Sequence, residues 1–563
     1  MKASEYNISN EKFVLVGQNR KIHDVELATK PVSYFADAFS RFKRNKGSIV
    51  ASIIIILLIL FAILGPMFSP YTVSYKDDKY AFVTPRNELF VKLGIDFWSG
   101  YEKKETTEQQ FLYNYGIGLE TGQNAVVDQE YSVTQKRHPS GELVDYYTYK
   151  VDTYSLVGVV FKDVTKEEYQ ALQEYQNETG IQVIYPNTVL CLRPSAVQDE
   201  DNANYWYQTV KKDGKTTIVA DSENLDNSYK NIYYKVMTEE EVFAYYGSEE
   251  LDAYAKALYS KKLQQQAFKD KVFADLYDMY ENGDNYNSIR IEGDEPEYYY
   301  ARRNETGYEI RVNYYEYYRY YHTQIAKDGI EYPSFLFGAT NSGQDIFTCL
   351  SSGARFSFLL AIVIASVNLL VGAIYGAIEG YYGGITDLLM ERFVDILSAV
   401  PFMVVITLLK YHMETSSQVL VIFIAFFLTG WIGMAGRTRM QFYRFKNQEY
   451  VLAARTLGAS DARIMFKHIF PNALGTLITS CVLVIPSVIF SETSLSYLGI
   501  INLNQGDMTS VGTMLANSKT YLVQYPHMVL FPSLFICLLM LSFNLFGNGL
   551  RDAFNPSLRG TED

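Results

Sequence analysis

Six apolar runs punctuate the 563-residue chain, and a long polar stretch separates the first from the other five. The first, "GSIVASIIIILLILFAILGPMF" from Gly47 to Phe68, is long enough as a helix to cross a hydrocarbon core of ~30 Å. The others lie at residues 354–378, 387–411, 417–436, 473–498 and 527–550. The pattern predicts an all-α membrane protein of six transmembrane helices with a domain inserted after the first. Inside the insertion the periodicity changes. "YYTYKVDTYSLVGVVFK" alternates as a strand should, and "TKEE" from Thr165 to Glu168 reads as a capping box opening a helix. A second box, "TEEE" from Thr238 to Glu241, opens a mostly helical stretch running to about residue 281. "YQTVKKDGKTTIVA" reads as a hairpin turning at Asp213-Gly214, and "NYYEYYRYYH" at 313–322 as strand-like by its aromatic content. The insertion is therefore expected to be a mixed α+β domain.

Charge sets the expected orientation. "RFKRNK", Arg41 to Lys46, precedes the first run and places the N-terminus in the cytoplasm. A signal peptide is the alternative, but some forty polar residues precede the run and no small-residue cleavage site follows before Pro66, which favours an uncleaved anchor. Six spans return the C-terminus to the same side. The segment 437–472 then faces the cytoplasm with Arg437, Arg439, Arg444, Lys446, Arg455, Arg463 and Lys467, whereas 499–526 on the other side has only Lys519. The expected division is a cytoplasmic segment 1–46, a first span 47–69, an extracellular insertion 70–337, a five-helix core 338–550 and a cytoplasmic tail 551–563.

Net charge at pH 7 is −13, but residues 71–337 hold 28 basic and 45 acidic residues, leaving +4 for the rest. They also hold 37 of the 48 tyrosines. An acidic, tyrosine-rich block argues against nucleic acid. Tyrosine serves recognition surfaces well, so the block could dock a receptor; alternatively its rings fill its own core. Cys191, Cys349, Cys481 and Cys537 show neither metal-ligand spacing nor a disulfide framework. The Gly-Lys-Thr in "DGKTT" lacks the first glycine of a phosphate loop, since Thr209 stands there.

The stretch "EYVLAARTLGASDARIMFKHIFPN", Glu449 to Asn472, lies between two spans and is too charged for lipid. Helix formers lead to Gly458, which can supply a left-handed stop; Ser460 suits an N-cap with Asp461 behind it, and Pro471 suits a helix entry. The local physics allows two readings: a docking surface, which small Ala453 and Ala454 let a partner approach, or an amphipathic loop lying on headgroups.

These residues resemble the cytoplasmic signature loop of ATP-binding-cassette importer permeases. Ala453, Ala454, Gly458 and Pro471 match its spacing, in an "EYVxAARxLGAS" form that also takes in Glu449, Arg455, Ala459 and Ser460. His468 stands in place of isoleucine, Phe470 of leucine and Leu452 of glutamate. "GYYGGITDLLMERFVDILSAVPFMVV", "ETSLSYLGI" and "FNLFGNGLRDAFNPSLR" extend the likeness across nearly all of 338–556. The whole is similar to the C-type membrane subunit of an oligopeptide/dipeptide importer. Where that family reads Gly-Thr-Asp-x-x-Gly-Arg-Asp, this chain has "GATNSGQD", with Thr340 and Gln344 replacing the first Asp and the Arg.

The resemblance implies the type I ABC importer permease fold and a transport subunit in the bacterial cell membrane. It implies that 449–471 is an ATPase-coupling loop, and that a second permease subunit, two ATP-binding subunits and a lipid-anchored extracellular peptide-binding protein are the partners. No cofactor is expected in this chain, ATP being bound by the partner subunits. Nickel or oligosaccharide importers use similar permeases, so the cargo stays open. A membrane-anchored extracellular enzyme is disfavoured because His138 and His322 of the insertion have no evident partners in sequence, and a sensor because no signalling domain follows the last span.

Charges inside spans are costly and face interiors or cavities. Glu492 and Glu379 are candidates for the translocation path, with an interhelical bond as the alternative reading for Glu492. Glu391, Arg392 and Asp395 read as an internal ion-pair cluster. Pro401 and Pro486 should kink their spans, and Gly547 and Gly549 near Asn544 should mark close helix packing.

Overall fold

The computed structural model describes residues 34–96, 98–107, 110–111, 114, 117–118, 121–137, 143–185, 207–212, 215–220, 288–290, 299–303, 308–413, 416–503 and 509–554. The box at Thr238 to Glu241 and the helical stretch expected after it lie outside them.

Helix α1 (Tyr34–Arg44) leads into α2 (Lys46–Phe68), the first apolar run. Asn45 separates the two and caps α2 by accepting the Ser48 amide at 3.2 Å. The insertion starts with the short helix α3 (Glu88–Lys92), followed by β1 (Tyr101–Thr107), β2 (Val126–Arg137) and β3 (Leu143–Asp152). These form an antiparallel sheet in the order β1-β3-β2, with Tyr101 opposite Asp152 and Val133 opposite Tyr147. The alternation of 146–162 is thus real, but Thr153–Gly158 interrupts it and β4 (Val159–Val164) joins a second sheet. Thr165 then accepts the Glu168 amide at 3.1 Å and opens α4 (Lys166–Thr179), as its capping box requires. After β5 (Ile184–Tyr185), strands β6 (Tyr207–Lys212) and β7 (Lys215–Ala220) pair antiparallel with Lys212 opposite Lys215, the expected hairpin. Strands β8 (Ser288–Arg290), β9 (Tyr299–Arg303) and β10 (Tyr308–Asn313) complete the second sheet in the order β4-β10-β9-β8, with β5 also on β10.

The expectation for 313–322 is overturned. Tyr314–Tyr320 is a helix, α5, not a strand. Asn313 caps it by accepting the Tyr315 amide, and Tyr317 and Tyr320 pack three apart against Tyr175 and the sheet. Burial at helical spacing outweighs the weak strand preference of tyrosine. Tyr80, Tyr147, Tyr149 and Tyr154 are fully buried, so many of these rings fill the insertion's own core.

The membrane core follows as α6 (Ile346–Tyr382), α7 (Gly384–Ser398), α8 (Phe402–His412), α9 (Gln418–Thr429), α10 (Ile432–Phe445), α11 (Glu449–Thr456), α12 (Phe470–Tyr497), α13 (Val511–Ser518) and α14 (His527–Phe554). Five spans are continuous: α2, α6, α9 with α10, the helix Asp461–Tyr497, and α14. The run at 387–411 is not one straight span. It is the pair α7 and α8, bent by 70° at Pro401, whose ring ends one helix and starts the next. With that pair the spans number up to six.

Contacts set the directions of the helices. Gly65 of α2 lies against Ser351 near the start of α6, so the two run antiparallel; Gly549 near the end of α14 meets Ser48 at the start of α2. The starts of α2 and of the loop after Phe445 and the end of α14 therefore share one end of the bundle. The described residues of the insertion that touch the bundle lie at the other. There Phe82 stacks on Tyr525 at 4.3 Å and Phe337 on Phe531 at 4.1 Å. The divergent "GATNSGQD" segment is part of this seam. Asp345 caps α6 by accepting the Phe347 and Thr348 amides, Gln344 donates to the Val73 carbonyl at 2.7 Å, and Thr340 accepts the Ser342 and Gln344 amides. Gly343, with φ of +67°, lies directly on the Asp77 backbone.

Candidate functional site: the loop between two spans

The segment 449–471 is a helical hairpin. Helix α11 ends where Gly458 takes φ of +80° and the Ala459 amide bonds back to the Ala454 carbonyl at 3.1 Å. That is the left-handed stop expected at this glycine. Ser460 adopts the extended N-cap backbone before Asp461, although its hydroxyl makes no capping bond. The return leg then widens into a π-turn, Ile464–Ile469, before α12. Pro471 accounts for the widening: it has no amide hydrogen and its ring displaces the carbonyl four residues back, so the Phe470 amide reaches five back, to Met465.

The hairpin has two faces. Val451, Ile464, Met465 and Ile469 turn inward onto Ala377, Tyr381 and Phe442. Ala454 is buried with them, so only Ala453 of the alanine pair presents a small side chain outward. The outer face carries Glu449, Leu452, Ala453, Arg455, Leu457, Gly458 and Ser460, with Leu457 88% exposed. His468 is half-buried and Pro471 lies at the root of α12. Leu452, Leu457, Tyr450 and Phe466 are the exposed large apolar side chains of the hairpin.

One side chain fastens the hairpin to the spans, and a charged cluster beside it ties the spans to one another. The Tyr381 hydroxyl, in the last turn of α6, donates to Asp461 on the return leg at 2.6 Å and accepts from Arg455 of α11 at 3.4 Å. One phenol thereby holds both legs. Next to it, Arg439 of α10 forks onto Asp387 of α7 through Nε at 2.6 Å and the second amine at 2.8 Å. It also pairs with Glu391 at 3.2 Å and Glu379 at 3.4 Å, while the Tyr443 hydroxyl donates to Asp387 and Lys446 to the Gly380 carbonyl. Sequence reasoning placed Arg439 only among the basic loop residues. Its partners lie 48 to 60 positions away, a separation that leaves no local signal.

Arg392 does pair with Asp395 at 2.7 Å, but on an exposed face rather than inside, where such a pair is worth little. Glu391 serves Arg439 instead. Glu379 is buried among these groups, and Glu492 is buried at the other end, taking hydroxyls from Ser496 at 3.0 Å and Ser357 at 3.4 Å. Both carboxyls thus sit in contacts between helices of this chain. Gly372, Gly376 and Gly380, four apart on α6, lie against Met434, Ala435 and Arg439 of α10. The stripe is a signal within the sequence itself, since small residues at this spacing let helix backbones approach. Gly547 and Gly549 pack tightly against Leu483 and Ser48, as expected.

Residues 368–560 match the family described as "Binding-protein-dependent transport system inner membrane component", and residues 33–85 match "N-terminal TM domain of oligopeptide transport permease C". The two matches leave 86–367, with most of the insertion, between them. The chain is 44% identical over 223 residues to the oligopeptide transport system permease protein OppC of Bacillus subtilis, covering 40% of this chain and 72% of that protein. It is 38% identical over 224 residues to the dipeptide transport system permease protein DppC of the same organism, covering 40% and 69%. Against OppC of Escherichia coli K12 the figures are 35% over 223 residues, 40% and 72%. With its spans, its hairpin and these relatives, the chain belongs to the family of binding-protein-dependent transport system inner membrane components, as a C-type permease subunit of an ABC importer.

Proposed function

We propose that this subunit, paired with a second permease, forms a path for peptides and is driven through the 449–471 hairpin by two separate ATP-binding subunits. The observation that carries the proposal is the two-faced hairpin: Glu449, Leu452, Ala453 and Leu457 outward, and a Tyr381 tether to α6 behind them. Leu452, where the family pattern has glutamate, makes the outer face more apolar. ATP stays with the partners, and this chain contributes no catalytic group. The hairpin end, with both termini, faces the cytoplasm; the insertion faces outside, where a lipid-anchored peptide-binding protein delivers cargo. Peptide cargo rests on the names of the relatives, which are oligopeptide and dipeptide permeases.

The test is purification from native membranes in mild detergent, with mass spectrometry of the retained proteins. Wild type should retain the ATPase subunits and a second permease. Ala453→Glu with Leu457→Asp, both on the outer face, should lose the ATPases and keep the second permease. Wild type retaining no ATPase would overturn the coupling role.

A further inference from the structure

The insertion carries an exposed apolar segment, residues 88–96, that its own core does not use. Around α3, Leu89 is 62% exposed, Leu93 63% and Ile95 42%, within seven residues of one another. Scattered exposed leucines are ordinary, but a cluster on one tip is not. The tip stands on a fixed base. The Asn87 amide donates to the Trp98 carbonyl at 2.7 Å, Asn87 also caps α3, and Arg86 beneath is pinned to Asp152 at 3.3 Å.

Its position identifies what it meets. The Trp98 ring lies nearly parallel to Phe531, with 6.2 Å between centroids and 11° between planes. Phe531 is in the first turns of α14, a spanning helix whose Leu530 and Leu534 are exposed. Through Trp98, whose ring also meets Phe90 of α3 at 5.9 Å, the segment is therefore linked to the first turns of a spanning helix with exposed leucines. Lys92 is exposed on the same segment, where an ammonium can reach lipid phosphates, while the carboxylate of Asp96 is held by Lys150 and Trp98 packs against Phe90 and Phe531.

We propose that residues 88–96 dip into the membrane surface and bind phospholipid, anchoring the insertion to the bilayer beside α14. The segment then adds direct lipid attachment to a domain already held by α2, α6 and the start of α14.

The test places a photo-reactive diazirine leucine analogue singly at positions 93, 534 or 143 of the full chain in native membranes. Adducts are identified by mass spectrometry after illumination. Lipid adducts are expected at 93 and 534 and none at 143, since Leu143 is equally exposed but lies at the end of a strand in the insertion's sheet. Protein adducts, or none, at 93 while 534 labels lipid would overturn the proposal and make the tip a protein interface or a solvated surface. Failure of 534 to label lipid would overturn it too, by removing the bilayer from this end of the bundle. The importer reading is tested separately by co-purification.

Discussion

Tyr381 donates a 2.6 Å hydrogen bond to Asp461 while accepting one from Arg455, so the last turn of one span grips both legs of the hairpin. Neither leg can be displaced without straining the bond to that phenol. Tyr381→Phe keeps the ring and its packing and removes both bonds. A hydrogen bond to a charged partner is worth ~1.5–3 kcal/mol when buried; with Asp461 exposed, a loss of about 1 kcal/mol is expected. In reconstituted complexes, transport per ATP hydrolysed should fall about five-fold with ATPase subunits still bound. Unchanged transport per ATP would show that the hairpin needs no such grip.

Arg439 is the shared cation of Asp387, Glu391 and buried Glu379. Arg439→Ala leaves three carboxylates facing each other, and the arginine's partial exposure keeps the cost to roughly 1–3 kcal/mol. Arg439→Lys should recover only part, because an ammonium cannot fork onto Asp387. Thermal unfolding in detergent should rank wild type above the lysine variant and the lysine variant above alanine. An alanine variant that melts with wild type would mean the cluster carries no stability.

Two glycines on facing helices give a controlled contrast. A Cβ at Gly376 would run into the Ala435 carbonyl, whereas a Cβ at Gly436 meets nothing within 4 Å. Gly376→Ala is expected to cost about 1–3 kcal/mol by overpacking, and Gly436→Ala to be neutral or slightly stabilising through helix propensity. Equal melting temperatures for the two would contradict the close crossing of α6 and α10.

Burial raises the Asp77 carboxyl above its ordinary range, even though the Tyr314 hydroxyl donates to it at 2.7 Å and the Lys79 amide at 3.1 Å. A carboxyl raised in the fold contributes stability that is fully present below its unfolded pKa and lost as pH rises through the folded one. Stability at the seam should therefore decline as pH climbs from the usual aspartate range through that raised value. Asp77→Asn should flatten the decline, read as cleavage of the insertion by a pH-tolerant protease across a pH series. Identical slopes in the two proteins would rule Asp77 out as the titrating group.

The chain declares most of its membrane architecture and little of its internal fastening. Apolar runs, Pro401, the Gly458 stop and the Thr165 capping box are local signals, each acting within a few residues. The inward turn of Ala454 follows from the hairpin's packing on Tyr381 and Phe442, which no local pattern specifies. The Arg439 cluster joins three helices, and only the assembled bundle brings its members together. Tyr314–Tyr320 reads as a strand because tyrosine favours strands; Glu316 and Arg319, three apart, with Asn313 ahead of them, carry the helical signal.

Helix α6 runs unbroken through 37 residues, a rod of ~55 Å. At its first turn it is capped by Asp345, in the seam where Gly343 lies on the backbone of the insertion, and at its last it carries the phenol that holds the hairpin. A rod without a joint transmits twist and thrust in both directions. The seam with the insertion and the grip on the hairpin are thus the two ends of a single continuous helix, with no hinge between them.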